Sequence, residues 1–130
     1  IVGKNAAGTP LWKPAGAAIW TAPTIDVQRR QIYVATGNAY TAPAAPTSDA
    51  VLALAIDTGA VQWVSQVTPG DAYVVGCKPG NDNCPDDEGP DFDFGNSPIL
   101  RRLANGRSVI VVGQKSGVAY GLDPDAKGAV

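Results

Sequence analysis

Ala50-Val51-Leu52-Ala53-Leu54-Ala55-Ile56-Asp57-Thr58-Gly59-Ala60-Val61-Gln62-Trp63 is the stretch on which the fold turns. A nearly all-apolar run meets a tight Asp-Thr-Gly turn, and a second run leads away from it. That pattern predicts two antiparallel strands, Ala50–Ile56 and Ala60–Gln66. Upstream, Gln31–Thr36 is β-branched and aromatic and reads as another strand. Ile19–Ile25 reads as a further one, joined to it by the polar turn Asp26–Arg30. Together they predict one four-stranded antiparallel meander. Residues 1–18, rich in Gly, Ala and Pro, and residues 37–49 read as loops.

The pattern recurs downstream. Ser97–Leu103 matches the first strand, Ser108–Gly113 the second and Gly117–Leu122 the third, and Asn105-Gly106 is a strong hairpin signal. The offset is 75 residues from Pro23 to Pro98 and 76 from Gly37 to Gly113. No stretch has a convincing helical period. Repeated four-stranded sheets are the unit of a β-propeller, which closes as a ring of roughly 4–8 blades. The fold class is therefore all-β, a fragment of a β-propeller. Its divisions are blade one at about 19–67, an acidic insertion at about 70–92, and a truncated blade two at about 93–130. A two-sheet sandwich is the structural alternative. The chain reads as a piece of a longer protein that neither folds stably nor works alone.

At 130 residues with 45% apolar content, one packed core is within reach. The net charge of -2 argues against a nucleic-acid surface. Residues 77–95 carry -5 and the remainder +3. No apolar run approaches the roughly 20 residues of a membrane helix. No signal peptide is visible at Ile1. Cys77 and Cys84 cannot build a four-ligand zinc site, and the chain has no His to help. A local disulfide stapling the acidic loop is the expectation and implies an oxidising compartment, periplasmic or secreted. Two unpaired thiols in a cytosolic protein is the alternative.

Antiparallel neighbours place a strand's start beside its partner's end. Trp20 and Asn38 therefore share one edge of the first blade, and Asp93 and Lys115 the equivalent edge of the second. The set is an aromatic platform, an amide oxygen, a carboxylate and a cation. It suits a flat, anionic, metal-bound ligand, and the oxygen donors suit calcium. Within Asp91-Phe92-Asp93-Phe94-Gly95, Asp93 is flanked by rings on both sides. Desolvation there is expected to raise its basicity above that of Asp91. Taken singly, Asp91 and Asp93 read as turn residues, Trp20 as packing, Asn38 as a turn residue and Lys115 as a solvated charge.

With these residues assembled, the chain resembles the pyrroloquinoline quinone (PQQ) dependent alcohol dehydrogenases, on the polyvinyl alcohol dehydrogenase-like side. The repeat signature spans Ala53–Trp63, with Ala55 where Asp is usual. The resemblance implies that Trp63 docks one blade onto the next. It implies that Trp20 stacks on PQQ and that Asn38, in Thr36-Gly37-Asn38, ligates calcium together with Asp93. It further implies Asp93, in Phe92-Asp93-Phe94, as catalytic base, and Lys115, in Gln114-Lys115-Ser116-Gly117, as donor to the quinone oxygens. Gly95 stands where lanthanide-using relatives carry Asp, which favours calcium. The family has a cysteine-bearing loop near the site, a part open to Cys77–Cys84. The implied activity is oxidation of a small-molecule or polymeric alcohol, with electrons passed to a cytochrome c. Two rivals stand beside this reading. One is a non-catalytic propeller scaffolding an outer-membrane assembly, and the other is a secreted calcium-binding adhesive module.

Overall fold

The computed structural model describes residues 1–130 other than Pro14 and Pro79. Four strands make the first sheet: β3 (Thr24–Asp26), β4 (Gln31–Ala35), β5 (Ala50–Ala55) and β6 (Val61–Gln66), following β1 (Gly3–Lys4) and β2 (Pro10–Leu11). They pair in chain order, all antiparallel. A second sheet holds β7 (Ile99–Arg102), β8 (Ser108–Gly113) and β9 (Ala119–Leu122), again in chain order and antiparallel. Among the described residues the fold is all-β apart from one 3₁₀ turn at Pro124–Ala126. Among the described residues, no helix is long and apolar enough to cross a membrane.

The core lies between the two sheets. Tyr33, Ala35, Val51, Ala53 and Trp63 of the first meet Ile110, Val112 and Leu122 of the second and Phe94 from the segment before β7. The alternate residues Val34, Ala50 and Leu52 form another apolar cluster on the far face of the first sheet. Period-two alternation with both faces apolar is why β5 reads as a continuous hydrophobic run. Trp63 is the residue that carries the contact between sheets. It is 8% exposed, and a Cβ on Gly128 would fall 2.6 Å from its ring, so the second sheet's closing turn lies directly on the indole. Arg29 ties the same turn to the first sheet, with Nε and Nη2 donating to Asp125 at 2.8 and 2.7 Å and Nη1 to Asp26 at 2.8 Å.

Three expectations need correction. The first strand does not run from Ile19: β3 begins at Thr24, directly after Pro23, and β7 begins at Ile99, directly after Pro98. Proline brings no N–H to a ladder. The third strand of the second sheet starts at Ala119 rather than Gly117, because Gly117 sits at φ +85° in the preceding turn. Residues 1–18 are not merely loop. They contain the β1–β2 hairpin, whose Asn5 side chain accepts from Thr9 N at 2.8 Å and donates to Asp82 O at 2.6 Å.

That hairpin grips the acidic loop. Thr9 Oγ1 also donates to Asp82 O, and Ala6 N donates to Asp86. Cys77 and Cys84 are joined as a disulfide, with Cα atoms 5.5 Å apart. Closing so short a loop contributes about 2–3 kcal/mol of stability. Mass spectrometry of unreduced protein is expected to show the loss of two hydrogens from the peptide holding both residues. Free alkylation of both thiols without reductant would refute the pairing.

Candidate functional site

Main-chain bonds draw four segments together at one end of the two sheets. Gly37 N donates to Ala18 O at 3.0 Å and Ala17 N to Asn38 O at 2.8 Å, so the chain leading to Trp20 runs beside the end of β4. Phe94 N donates to Thr36 O at 3.3 Å and Lys115 N to Asp93 O at 3.0 Å. Asp93 is thereby pinned between the first sheet and the second. Trp20, Asn38, Asp91, Asp93 and Lys115 all line one cavity of about 640 Å³, walled further by Tyr40, Tyr73, Val74 and Val75.

The side chains are linked by hydrogen bonds. Asp93 Oδ1 accepts from Asn38 N at 2.7 Å and Oδ2 from Lys115 Nζ at 2.6 Å. Lys115 Nζ also donates to both oxygens of Asp91 at 3.0 Å and lies 5.9 Å from the centroid of the Trp20 ring. Gly37 permits this approach, since a Cβ there would stand 2.3 Å from Asp93 Oδ1. Asn38 Nδ2 donates to Ala39 O at 2.5 Å and Tyr73 O at 2.7 Å. Both amide hydrogens are thus used on main-chain carbonyls, which fixes the amide's orientation and leaves Oδ1 as its open acceptor.

The expected rise in Asp93 basicity is not found. Burial pushes its carboxyl up, but the Lys115 ammonium, the Asn38 N–H and Asp91 outweigh it, and the net shift is downward. Phe94 does not wall the carboxylate. Its ring lies in the core between the sheets, 5.9 Å from Tyr120. Asp91 moves the other way: burial and its hydrogen bond to Asp93 hold it above the usual carboxylate range despite Lys115. Nor is the segment simply extended, because Asp91 has φ +61°. Lys115 is held charged above its ordinary value, chiefly by Asp93.

Two further acids were not singled out in the sequence. Asp71 is fully buried and accepts from Asp91 N and Phe92 N at 3.2 and 2.8 Å. Asp49 is fully buried with neither carboxylate oxygen hydrogen-bonded. Burial, then the charges of Asp71, Asp93 and Asp91, push Asp49 up to about 7. A carboxyl raised on folding stabilises fully below its unfolded value near 4, and that contribution is lost as the pH rises through about 7. Asp49→Asn in the full-length parent protein is therefore expected to match wild type near pH 4. At pH 8 it is expected to be more stable, by at most about 4 kcal/mol, in chemical denaturation. A variant no more stable than wild type at pH 8 would contradict the burial of an uncompensated charge.

No protein-family model matches the chain. It is 55% identical over 124 residues to a polyvinylalcohol dehydrogenase of Pseudomonas sp, covering 95% of this chain and 19% of that protein. It is 49% identical over 128 residues to a polyvinylalcohol dehydrogenase of Sphingopyxis sp. (strain 113P3), covering 96% of this chain and 20% of that protein. Among solved structures, a quinohemoprotein alcohol dehydrogenase from Comamonas testosteroni aligns at 26% identity and TM-score 0.57. The alignment covers 85% of this chain and 16% of that one. A europium-containing methanol dehydrogenase aligns at 22% identity and TM-score 0.63, over 88% of this chain and 19% of that one, and shows the fold alone. The chain thus spans about a fifth of the length of the curated relatives it matches. Over nearly all of its own length it resembles one stretch of the polyvinylalcohol dehydrogenases, and its two sheets have the propeller fold of the quinoprotein alcohol dehydrogenases.

Proposed function

We propose that this chain is part of a PQQ-dependent alcohol dehydrogenase and carries one wall of its active site. The observation that carries the reading is the convergence of Trp20, Asn38, Asp93 and Lys115 on one cavity. A scaffold or adhesive module gives no reason for that convergence. The residues fit the cofactor. Trp20 is 59% exposed and lines the cavity, with the Lys115 cation 5.9 Å over its ring. They fit calcium as part of a donor set: the open Asn38 Oδ1 and the Asp93 carboxylate are hard oxygens, of the six to eight that calcium takes. Among the described residues no group of three or more His, Cys, Asp or Glu is placed to hold a metal, so the remaining ligands come from outside this stretch.

When bound, PQQ supplies the hydride acceptor, and the metal polarises its carbonyl. Trp20 binds the ring plane by stacking. Lys115 places a positive charge where negative charge develops. Asp93, ionised at rest, accepts the alcohol's hydroxyl proton as general base once the substrate hydroxyl competes for the oxygen that Lys115 holds. The division into blade one (19–67), insertion (70–92) and blade two (93–130) belongs to the same proposal. So do a cytochrome c acceptor, small or polymeric alcohols as substrates, and a periplasmic or secreted location, which the disulfide supports.

The test is calorimetric titration of the full-length parent protein with PQQ, with and without calcium. Saturable binding that requires calcium, and that Asn38→Ala weakens at least about tenfold, is expected. A protein that binds neither is a scaffold. One that binds calcium but not PQQ is the adhesive module.

A further inference from the structure

We propose that Asp71 is a positioning residue that aims the Asp91 carboxylate at Lys115, beside Asp93. Asp71 lies outside the cavity lining and takes no part in the roles proposed above. It is nonetheless the point at which three segments of the site are fastened. Its carboxylate is fully buried and receives the consecutive amides of Asp91 and Phe92, at 3.2 Å on Oδ1 and 2.8 Å on Oδ2. A backbone that bends through a left-handed residue can bring two successive N–H groups onto one anion. Asp91 has that bend, at φ +61° without being glycine. The strain is of the kind that surrounding structure must hold in place. Asp71 supplies the hold, and the bend in turn directs the Asp91 carboxylate onto Lys115 Nζ, where it sits beside Asp93.

The same short segment fixes the other side of the site through its main chain. Asp71 O accepts from Ala39 N at 3.1 Å, and Tyr73 N donates to Ala39 O at 2.8 Å. Tyr73 O accepts from Asn38 Nδ2 at 2.7 Å. The carboxylate therefore governs Asp91, and the backbone governs Asn38. Gly89 leaves the room the carboxylate needs: a Cβ there would lie 2.3 Å from Asp71 Oδ1. Asn at position 71 keeps the volume but presents one NH₂ to one of the two amides, so the grip fails on one side while the main-chain bonds to Ala39 remain.

The test uses Asp71→Asn in the full-length PQQ-loaded parent protein. Its kinetic arm rests on the reading of Asp93 as base, and its exchange arm does not. Hydrogen exchange at the Asp91 and Phe92 amides, resolved by fragmentation mass spectrometry, is expected to quicken at least about tenfold, with Ala39 still protected. kcat is expected to fall about three- to tenfold, no further than loss of the Asp91 carboxylate itself would lower it, with KM and PQQ affinity within threefold of wild type. Wild-type exchange at both amides, kcat within twofold of wild type, or a joint collapse of kcat, KM and PQQ affinity would each overturn the proposal. Should Asp71→Asn not fold, Asp71→Ser, which takes the carboxylate away from the two amides and leaves the main-chain bonds to Ala39, is judged by the same outcomes. A wild-type protein that binds no PQQ and oxidises no alcohol removes the proposed function, and the exchange arm alone then decides Asp71.

Discussion

Asp93→Asn in the full-length parent protein is expected to lower alcohol turnover by about 10²–10⁴-fold while PQQ stays bound. The amide keeps the shape of the side chain. Its oxygen still accepts from Asn38 N, which now holds Oδ1 at 2.7 Å. What is lost is the group that takes the hydroxyl proton. Asp91→Asn is expected to cost about tenfold at most, because Lys115 keeps its shorter bond to Asp93 at 2.6 Å. The comparison is demanding, since both acids reach the same ammonium. Asp93 is chosen because it is the more enclosed, with 9% of its side chain exposed against 29% for Asp91, and because its main chain joins the two sheets. Steady-state rates of the two variants settle it. A dead Asp91→Asn beside an active Asp93→Asn would reverse the assignment.

Trp63→Ala is expected to destabilise the parent protein by about 3–5 kcal/mol in chemical denaturation. The indole lies 5.7 Å from the Tyr33 ring on one side and against Gly128 on the other, so its removal opens a void between the sheets. Gly128, at φ +76°, cannot move a side chain in to fill it. Trp63→Phe is expected to cost much less. The buried Nε1 has no hydrogen-bond partner, so the smaller ring forfeits packing but no bond. A Trp63→Ala variant within about 1 kcal/mol of wild type would show that Trp63 does not carry the contact between sheets.

The strands were legible because β4 and β8 are rich in β-branched residues, β5 is a continuous apolar run, a tight turn separates β5 from β6, and the pattern repeats at nearly constant offset. The starts of β3 and β7 were not, since the apolar residues before Pro23 and Pro98 look like strand but find no ladder. The β1–β2 hairpin escaped for a different reason. Asn5 and Thr9 are held by Asp82, more than 70 residues away, and no local pattern encodes that. Trp20 with Asn38, and Asp93 with Lys115, could be placed at equivalent edges of the two sheets from strand direction, although Trp20 reaches its edge outside β3 rather than as the start of a strand. The direction of the Asp93 shift could not, because it depends on where the Lys115 and Asn38 hydrogen bonds fall. Nothing in the local sequence sets Asp71 and Asp49 apart from the loops that hold them. Their burial is decided by segments that fold over them from elsewhere in the chain.

The most direct measurement is a crystal structure of the full-length parent protein loaded with PQQ and calcium. The cofactor ring is expected stacked on Trp20, with Lys115 at its oxygen-bearing edge and the metal bound by Asn38 Oδ1 and Asp93. A cofactor seated elsewhere, with Trp20 and Lys115 free of it, would contradict the account.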